Sequence, residues 1–425
     1  MSPRQERQDN NPARGTRDLL PGTVARREAV TAQLAASYAN FGYRRIETPC
    51  IEHISRLTWG EGGDNEKLIY RILRRGVDPV LEARTELSEL VDLGLRYDLT
   101  VPLTRFYANN SGTLASPFRS MQIGPVWRGE RPAKGRFRQF TQCDIDVLGE
   151  PSVLAECELL EATLTALAAI GVEPVHVRVN DRRLLTALAA AAGASSGSTA
   201  EFLVTLDKLE NIGWEGVRAE LAARGFDRSV GEQCEWLVTL LQSAGSATEV
   251  LAGAADRLAD LDDGVLEGLR ETTGTLGLLI EAGGGFTFAI DPTVVRGMGY
   301  YTGQIFEIAH AGSPGSIAGG GRYDGLVGRS LGREVPACGL SIGFDRVVDM
   351  ARFVAPDLGV AVLYGDQPLD LVLSVARQLR SGDRAAGLVA KHGQMRRQLD
   401  ELKAEGYSSF VVVDGQGVSN ERPLG

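Results

Sequence analysis

Residues 127–149, WRGERPAKGRFRQFTQCDIDVLG, contain two strand-like stretches joined by a strongly basic connection. Pro132 and Gly135 lie within the charged part, where they favour a turn. The apolar, β-rich character of the flanking residues extends the pattern from Phe118 to Gly149. The sequence therefore predicts a hairpin of two strands with a long, basic tip.

This connection is a dense concentration of positive charge. Against a single acid, Glu130, residues 119–138 carry six basic side chains: Arg119, Arg128, Arg131, Lys134, Arg136 and Arg138. Such side chains clamp phosphate oxygens through charge-assisted hydrogen bonds. On composition alone, a solvated basic loop is the alternative. We expect the patch to bind an anionic ligand.

The 425-residue chain is 43% hydrophobic, 24% charged and 6% aromatic, which is typical of a globular protein with two or three domains. This composition excludes disordered and collagen-like classes. No stretch approaches the roughly 20 apolar residues that cross a bilayer, and the first residues lack the apolar run of a signal peptide. We therefore expect a cytoplasmic protein without a membrane partner. The five scattered cysteines favour reduced thiols over disulfides or a zinc site.

Charge and periodicity divide the chain into segments. The formal net charge of −10 by itself disfavours a nucleic-acid partner, but residues 181–281 hold 17 acidic and 8 basic residues and account for most of it. This alanine-rich segment is predicted to be an inserted helical domain, flanked by the catalytic residues. Residues 1–14 are predicted to be a mobile tail. In residues 357–425, strand and helix patterns alternate, which predicts a separate small α/β domain.

The remaining segments have recognisable helix and strand patterns. The predicted helices cover 23–40 and 156–170, and a third begins near 343. The predicted strands cover 44–52, 176–179, 286–290 and 304–308, and a short strand leads into a helix over 95–109.

Three polar residues lie in short strand-like stretches that are otherwise apolar: Asp98, Gln142 and Asp146. Alternation places Gln142 and Asp146 on the same face of their strand. Carboxylates at such positions suit an ammonium group or an imidazole N–H. For an isolated Asp, a structural hydrogen bond is the commoner role.

A second group of candidates lies nearer the C-terminus. Arg296 is followed by the adjacent Tyr300 and Tyr301, and only one of these tyrosines can face a pocket if the segment is extended. A tight turn with one tyrosine in the core is the alternative. The glycine triplet 319–321 permits close approach of the backbone to a ligand, although a triplet more often marks a turn. Arg346 opens a predicted helix and serves either a salt bridge or a nucleotide.

The sequence lacks a Walker loop, a strand-linked G-x-G-x-x-G, an H-E-x-x-H and a G-x-S-x-G motif. Its four histidines are scattered, so neither a metal site nor a catalytic triad is predicted. The arginines and carboxylates that remain suit an anionic nucleotide bound beside a small zwitterion.

Taken in order, several segments closely resemble the histidyl-tRNA synthetase family. They are GTRDLLP (15–21), LRYDLTVPLTR (95–105), residues 127–149, RGMGYYTG (296–303), GGGRYDGL (319–326) and CGLSIGFDR (338–346). The resemblance implies an α+β protein with a class II synthetase core, an antiparallel sheet flanked by helices, over residues 15–180 and 282–352. It further implies a homodimer that uses ATP with Mg²⁺ to make histidyl-adenylate from L-histidine and then charges tRNA(His).

The resemblance also implies the residues of the site. Those that would bind histidine are Asp98, Thr100, Arg128, Gln142, Asp146, Arg296, Tyr300 and Tyr301. Those that would bind ATP are Arg128, Glu130, Arg136 and Arg346. Arg128 and Arg296 are the implied catalytic pair: the first would hold the α-phosphate and the carboxylate, and the second would stabilise charge developing on the α-phosphate.

More detailed roles follow from the same resemblance. Asp98 and Thr100 would receive the α-amino group of histidine, with Gln142 assisting. Asp146 and Tyr301 would each recognise one imidazole nitrogen, a paired contact that rejects analogues lacking an N–H. Arg346 would lie against the ATP tail.

One departure keeps two other functions open. The chain is expected to carry a shortened version of the family's anticodon-binding domain, and residues 357–425 are not basic, with 8 Lys/Arg against 9 Asp/Glu. The first alternative is a non-catalytic paralogue such as the regulatory subunit of ATP phosphoribosyltransferase. The second is a paralogue that forms an adenylate and passes it to an acceptor other than tRNA.

Overall fold

The structure is a computed structural model that describes residues 10–58, 68–76, 87–133, 135–259, 261–296, 299–354, 357–382, 384–414 and 417–424. The described residues form two compact units. The first comprises the described parts of Met1–Asp18 and Thr31–Arg352, and the second those of Leu19–Val30 and Phe353–Gly425. Residues 1–9 of the predicted tail and Lys134 of the basic patch lie outside the described residues.

The elements that precede the predicted helical segment alternate between short strands and helices. In chain order they are α1 (Pro21–Asn40), β1 (Arg44–Arg45), β2 (Ile51–His53), α2 (Ile54–Leu57), β3 (Arg71–Leu73), α3 (Leu87–Leu90), β4 (Val91–Leu95), α4 (Thr100–Asn110), β5 (Phe118–Trp127), β6 (Gln139–Leu148), α5 (Leu154–Ala169) and β7 (Val175–Asp181). The predicted basic hairpin is β5 and β6, which pair antiparallel over their whole length.

Helices dominate the next hundred residues, and strands return after them. The helices are α6 (Arg182–Ala191), α7 (Thr199–Leu206), α8 (Leu209–Ala223), α9 (Arg228–Gln242), α10 (Ala247–Arg257) and α11 (Asp263–Glu281). They are followed by β8 (Phe286–Ile290), β9 (Gln304–Ala309), β10 (Ala318–Arg322), α12 (Asp324–Leu331), β11 (Ala337–Gly343) and α13 (Phe344–Met350).

Local side-chain chemistry explains where several of these helices begin. Asp181, Asp227, Ser246 and Asp262 precede α6, α9, α10 and α11, and each accepts a hydrogen bond from a backbone N–H in the first turn. Such N-caps stabilise a helix by about 1 kcal/mol each. The helices belong to the first compact unit, and their separation as an inserted domain stays a prediction.

A mostly antiparallel sheet organises the first unit. Among the described residues it has eight strands in the order β1-β5-β6-β11-β10-β9-β7-β8, and only the outer pairs β1/β5 and β7/β8 are parallel. Apolar and polar residues alternate along β6, an inner strand of this sheet. Cys143, Ile145 and Val147 are fully buried apolar residues, each worth about 1.5–3 kcal/mol if burial is complete. The polar residues between them belong to the other face.

A buried ion pair joins the sheet to α5. The guanidinium of Arg322 in β10 donates two hydrogen bonds of 2.6 Å to the two carboxylate oxygens of Glu156 in α5. Both side chains are at most 10% exposed. Because removing one partner leaves an uncompensated buried charge, such a pair fixes the helix against the strand.

The second unit contains the predicted small α/β domain. Its elements after Phe353 are β12 (Val360–Tyr364), α14 (Leu369–Arg380), β13 (Ala386–Ala390), α15 (Met395–Glu405), β14 (Ser409–Asp414), β15 (Gly417–Val418) and β16 (Arg422–Pro423). The predicted parallel arrangement is confirmed, since β12 pairs parallel with both β13 and β14. The two short strands β15 and β16, which pair antiparallel with β14, were not predicted.

One local prediction was wrong, and one alternative left open by the sequence is decided. Residues 44–52 do not form one strand: β1 joins the large sheet and β2 joins β4 in a separate three-stranded sheet. Pro49 lies between them and lacks the N–H that a continuous ladder needs. The glycine triplet 319–321 is not a turn but the centre of β10. Within the described part of the chain, no helix is long and apolar enough to cross a membrane.

Candidate active site

A cavity of about 270 Å³ opens on the polar face of the large sheet. This volume is slightly below the roughly 300–1,000 Å³ typical of small-molecule sites. All eleven residues proposed from the sequence line this one cavity: Asp98, Thr100, Arg128, Glu130, Arg136, Gln142, Asp146, Arg296, Tyr300, Tyr301 and Arg346. The fold thus brings together residues separated by up to about 250 positions.

The first buried acid of the cavity is Asp98. It lies in the bend between β4 and α4 rather than on a strand, and the first turn of α4 brings the backbone N–H of Val101 within 3.1 Å of its Oδ1. Its Oδ2 is buried and has no hydrogen-bond partner among the described residues. Burial raises the pKa of Asp98 to about 6, although the Val101 N–H and the charge of Arg128 oppose the shift.

The second buried acid, Asp146, is on β6. Its Oδ1 accepts a 2.6 Å hydrogen bond from the hydroxyl of Tyr323, and its Oδ2 is buried without a partner in the described structure. Burial raises the pKa of Asp146 to about 7, against the lowering effect of the Tyr323 hydrogen bond. Gly339 on β11 makes room for the carboxylate, because a Cβ at this position would collide with Asp146 Oδ1.

Gln142 contributes a third acceptor through a network that the sequence analysis missed. Its Nε2 donates to Ser341 Oγ at 2.8 Å, and the Ser341 hydroxyl donates to Asp144 Oδ1. The network leaves Gln142 Oε1 buried and unpartnered among the described residues. Burial and the charge of Asp146 raise the pKa of Asp144. The same alternation that identified Gln142 and Asp146 includes Asp144, so this residue could have been found.

Both tyrosines of the 296–303 segment line the cavity, so the condition under which only one could do so, an extended segment, is not met. Tyr300 lies in a turn, which lets the rings of Tyr300 and Tyr301 approach to a centroid distance of 4.9 Å. Tyr300 also meets Tyr323 edge-on at 5.9 Å. Burial raises the pKa of Tyr300 and of Tyr301, so both hydroxyls stay protonated and able to donate.

Arginines line the other part of the cavity. Arg128 donates its Nε to the Tyr97 carbonyl at 3.0 Å and its guanidinium lies 5.1 Å from the centre of the Phe140 ring. Arg346 donates to the Ser316 carbonyl, and burial together with the nearby charge of Arg136 lowers its pKa. An arginine stays charged despite such a shift. These contacts orient two cations in one place.

Arg296 is held in an unusual backbone conformation. Its φ of 57° is in the left-handed region, and among the described residues it is the only non-glycine with a positive φ. Its guanidinium donates to Glu307 Oε1 at 3.1 Å. Gly319 is required beneath it, because a Cβ there would lie 2.5 Å from a terminal nitrogen of Arg296.

A row of aligned, mostly polar residues, the polar row, crosses the sheet next to the side chains of the cavity. Strand register aligns one residue from each of six neighbouring strands: Gln122, Asp144, Ser341, Gly319, Glu307 and Arg178. Glu307 and Arg178 do not line the cavity, and sequence reasoning had no signal for them, since the row exists only once the strands are paired. Gly319 leaves a gap at its centre, and Arg296 occupies that gap.

No cluster of three or more His, Cys, Asp or Glu residues in the described regions is arranged to hold a metal ion. The cavity can instead do two things. Three buried acceptors, Asp98 Oδ2, Asp146 Oδ2 and Gln142 Oε1, need donors from a ligand, since buried polar atoms are rarely left unpaired. The arginines can bind phosphate and carboxylate oxygens.

Comparison with known proteins identifies the family. A family model described as histidyl-tRNA synthetase matches residues 15–347, and the chain belongs to this family. A relative from Leifsonia xyli subsp. xyli, named histidine–tRNA ligase, is 44% identical over 413 residues, which cover 95% of both chains. A relative of the same name from Gloeobacter violaceus is 36% identical over 432 residues and covers 94% of this chain and 90% of its own.

Solved structures agree with the fold. The crystal structure of histidyl-tRNA synthetase from Nostoc sp. PCC 7120 matches with a TM-score of 0.76 and 26% identity, covering 96% of this chain and 93% of that one. The expected α+β class II fold is confirmed by this match. A structure from Bacillus halodurans C, described as an ATP phosphoribosyltransferase regulatory subunit/histidyl-tRNA synthetase, matches with a TM-score of 0.74. At 19% identity it shows only that the fold is shared.

Proposed function

We propose that this protein is a histidine–tRNA ligase that uses ATP to activate L-histidine and transfers it to the 3′ end of tRNA(His). In the first step a carboxylate oxygen of histidine attacks the α-phosphorus of ATP and pyrophosphate leaves. In the second, a ribose hydroxyl of the tRNA attacks the acyl carbon and AMP leaves. The observation that carries the proposal is the cavity, which has three unpartnered buried acceptors beside oriented arginines.

The acceptors suit the cationic part of histidine. The α-ammonium has three N–H donors, and Asp98 Oδ2 and Gln142 Oε1 are buried acceptors without a partner among the described residues. Thr100, which lines the same cavity, supplies a further hydroxyl. With a pKa of about 6, Asp98 is about half ionised at pH 6 and about nine-tenths ionised at pH 7, where it pairs better with an ammonium.

Asp146 and Tyr301 suit the two nitrogens of a neutral imidazole. One nitrogen donates and the other accepts, so recognition needs one acceptor and one donor. Asp146 Oδ2 is the acceptor, and the protonated hydroxyl of Tyr301 is the donor, with Tyr300 packed against it. A side chain without an N–H would leave the Asp146 oxygen unpaired, which is the strongest way for a site to reject a similar ligand.

The arginines suit the phosphates and the transition state. Arg128 would bind the α-phosphate and the histidine carboxylate, and Arg346 and Arg136 the remainder of ATP. Arg296 would stabilise the negative charge that grows on the α-phosphate as the carboxylate attacks. A Mg²⁺ ion bound with ATP would neutralise phosphate charge, and Glu130, whose carboxylate lies 3.8 Å from Arg136, is the cavity residue suited to supply an oxygen to it.

Several features of the assembled enzyme belong to the same proposal. We propose that residues 15–180 and 282–352 act as the catalytic core, residues 181–281 as an inserted domain and residues 357–425 as an anticodon-binding-like domain. We also propose a cytoplasmic homodimer. A ligase binding tRNA through the last domain should lose much of its charging when this domain's basic residues are neutralised.

The rival functions have weaker support. A regulatory subunit has no need for arginines oriented toward a cavity with unpaired acceptors, and its similarity to this chain extends to the fold alone. An adenylate-forming enzyme with another acceptor would share the cavity, so only the second step separates it from a ligase.

Two measurements test the proposal. Exchange of labelled pyrophosphate into ATP should require L-histidine, and charging of total tRNA should attach histidine alone. Absence of exchange would refute the enzyme, and exchange without any charging would favour the non-tRNA acceptor. Histidinol, which lacks the carboxylate, should inhibit exchange but not support it.

A further inference from the structure

The end of the polar row that lies beyond the cavity contains a carboxylate shared by two arginines. Arg178 on β7 and Glu307 on β9 are directly opposite each other in the strand register. Arg178 donates to Glu307 Oε2 at 3.2 Å, and Arg296 donates to Glu307 Oε1 at 3.1 Å. Each oxygen therefore serves one guanidinium. All three side chains are largely buried, at 15%, 20% and 24% exposed for Arg178, Glu307 and Arg296.

Arg178 is itself held in place by the chain that follows β8. Its Nε donates to Asp291 Oδ2 at 2.8 Å and a terminal nitrogen donates to Thr293 Oγ1 at 2.9 Å. Asp291 in turn accepts from the backbone N–H and the hydroxyl of Thr293. Glu210 at the start of α8 adds a contact of 2.5 Å, but it is 68% exposed and such pairs contribute little.

The position of the Arg296 guanidinium depends on Glu307, because the backbone of Arg296 leaves the side chain few other orientations. Its left-handed φ and the gap above Gly319 define where the guanidinium can lie. Within that gap one terminal nitrogen donates to Glu307, and the guanidinium also interacts with the Tyr301 hydroxyl and with the charge of Asp207.

We propose that Arg178 is a positioning residue for Arg296 and acts through Glu307. With Arg178 present, Glu307 divides its charge between two cations and binds Arg296 through one oxygen. Without Arg178, both oxygens of Glu307 become available to Arg296, and a bidentate pair is the preferred geometry of arginine and carboxylate. Arg296 would then turn toward Glu307, and its charge would be neutralised where the α-phosphate needs it.

The consequence is specific to the chemical step. Arg296 is matched to charge that develops in the transition state, whereas the ammonium and imidazole of bound histidine are assigned to the acidic residues, Gln142 and Tyr301, and its carboxylate to Arg128. Loss of Arg178 should therefore lower the rate of adenylate formation and leave histidine binding nearly unchanged. This inference rests on the proposed function, since its measure is histidine activation.

The test compares Arg178→Gln and Arg178→Lys in histidine-dependent pyrophosphate exchange. We expect Arg178→Gln to lower kcat by about tenfold or more, the loss typical of one charged hydrogen bond, with the KM for histidine unchanged within about twofold. Arg178→Lys keeps the charge but not the fork that bonds Glu307, Asp291 and Thr293 together, so it should restore only part of the rate.

The matched control is Arg183→Gln. Arg183 is an arginine of the same unit, at the start of α6, that pairs with Asp181 and does not line the cavity. Its substitution should leave kcat and KM unchanged. Melting curves and histidine binding, measured on every variant, identify any variant whose rate falls because it has unfolded.

A double-mutant cycle with Arg296→Ala separates positioning from general support. If Arg178 acts through Arg296, adding Arg178→Gln to Arg296→Ala should cost no further rate. Additive losses, or an equal loss in Arg183→Gln, would overturn the inference. A wild-type protein without histidine-dependent exchange would instead refute the proposed function, so the two failures are distinguishable.

Discussion

Replacing Asp146 by Asn removes the charge from one buried acceptor while keeping its shape. The Asp146 carboxylate accepts from Tyr323 through Oδ1 and offers Oδ2 to the ligand. A hydrogen bond to a charged acceptor contributes about 1.5–3 kcal/mol, against about 0.5–1.5 kcal/mol for a neutral one. We therefore expect Asp146→Asn to weaken histidine binding by about tenfold at pH 8.

The same substitution should abolish part of the pH dependence of binding. With a pKa of about 7, Asp146 is about one-tenth ionised at pH 6 and about nine-tenths ionised at pH 8. Because only the ionised form offers a full charge and the protonated form binds about as Asn does, the wild-type advantage over Asp146→Asn should grow about fivefold, from about twofold at pH 6 to about ninefold at pH 8. Free histidine titrates in the same way with both proteins, so its titration cancels in the ratio of the two Kd values. Asp98 and Asp144 are coupled to the charge of Asp146, so the ratio reports the titration of this buried carboxylate group as a whole.

Calorimetric titration with histidine at pH 6, 7 and 8 measures this ratio. Tyr323→Phe provides the companion variant: it keeps the carboxylate but removes a hydrogen bond that lowers its pKa. The midpoint of its pH profile should therefore move to higher pH. A ratio near one at pH 8, or a ratio that does not change with pH, would remove Asp146 from the histidine pocket.

Three further outcomes are expected. Arg296→Ala should lower the exchange rate about a hundredfold, or by about 3 kcal/mol, while histidine binding measured by calorimetry stays nearly normal; a raised KM alone would contradict its role. Gly319→Ala should lower the exchange rate without loss of secondary structure by circular dichroism, because the new Cβ would lie 2.5 Å from a nitrogen of Arg296; an unchanged rate would show that this nitrogen need not lie there. Asp146→Asn should raise the melting temperature at pH 8 but not near pH 4, because it removes a buried charge that destabilises the folded protein only when Asp146 is ionised. The rise of the Asp146 pKa from 3.8 to about 7 corresponds to at most about 4 kcal/mol of stability. The folded wild type binds an extra proton between these values, so its free energy of unfolding falls as pH rises through this window; equal melting temperatures at pH 8 would show that burial does not raise this pKa.

Periodicity predicted most of the fold because long, regular segments dominate it. The helix expected over 156–170 is α5 (Leu154–Ala169), and the strand expected over 286–290 is β8. The helix is apolar on nearly every side and mostly buried, and the strand contains aromatic and β-branched residues, so local composition and tertiary burial agree. Residues 44–52 have β character throughout, and no local pattern reveals that Pro49 separates two strands belonging to different sheets.

The glycine triplet left two interpretations open for a physical reason. The triplet 319–321 resembles a turn because glycine is costly in a strand. Here the missing side chains are needed by neighbours far away in the sequence: Arg296 above Gly319 and the backbone of β11 and β9 beside the other two. Only the paired sheet shows this requirement.

The residues of the candidate site also differ in whether the sequence alone could identify them. Eleven residues of the cavity were found because the motifs containing them are contiguous in sequence, whereas Asp144 and Ser341, which also line it, were missed. Glu307 and Arg178 act on a side chain presented by a different segment, and their alignment depends on the register of β7 and β9. A side chain that positions another across a sheet has no local signature, so sequence alone does not single it out.

The glycines at the base of the cavity have a consequence for how the site could be altered. Gly319 and Gly339 present bare main chain, which has no rotamers and moves only if the ladder of inter-strand hydrogen bonds moves with it. The distance between Arg296 and Asp146 is therefore fixed by the positions of the paired strands. A pocket reshaped for a larger amino acid would need changes elsewhere in its wall, because these two glycine positions offer no side chain to shorten.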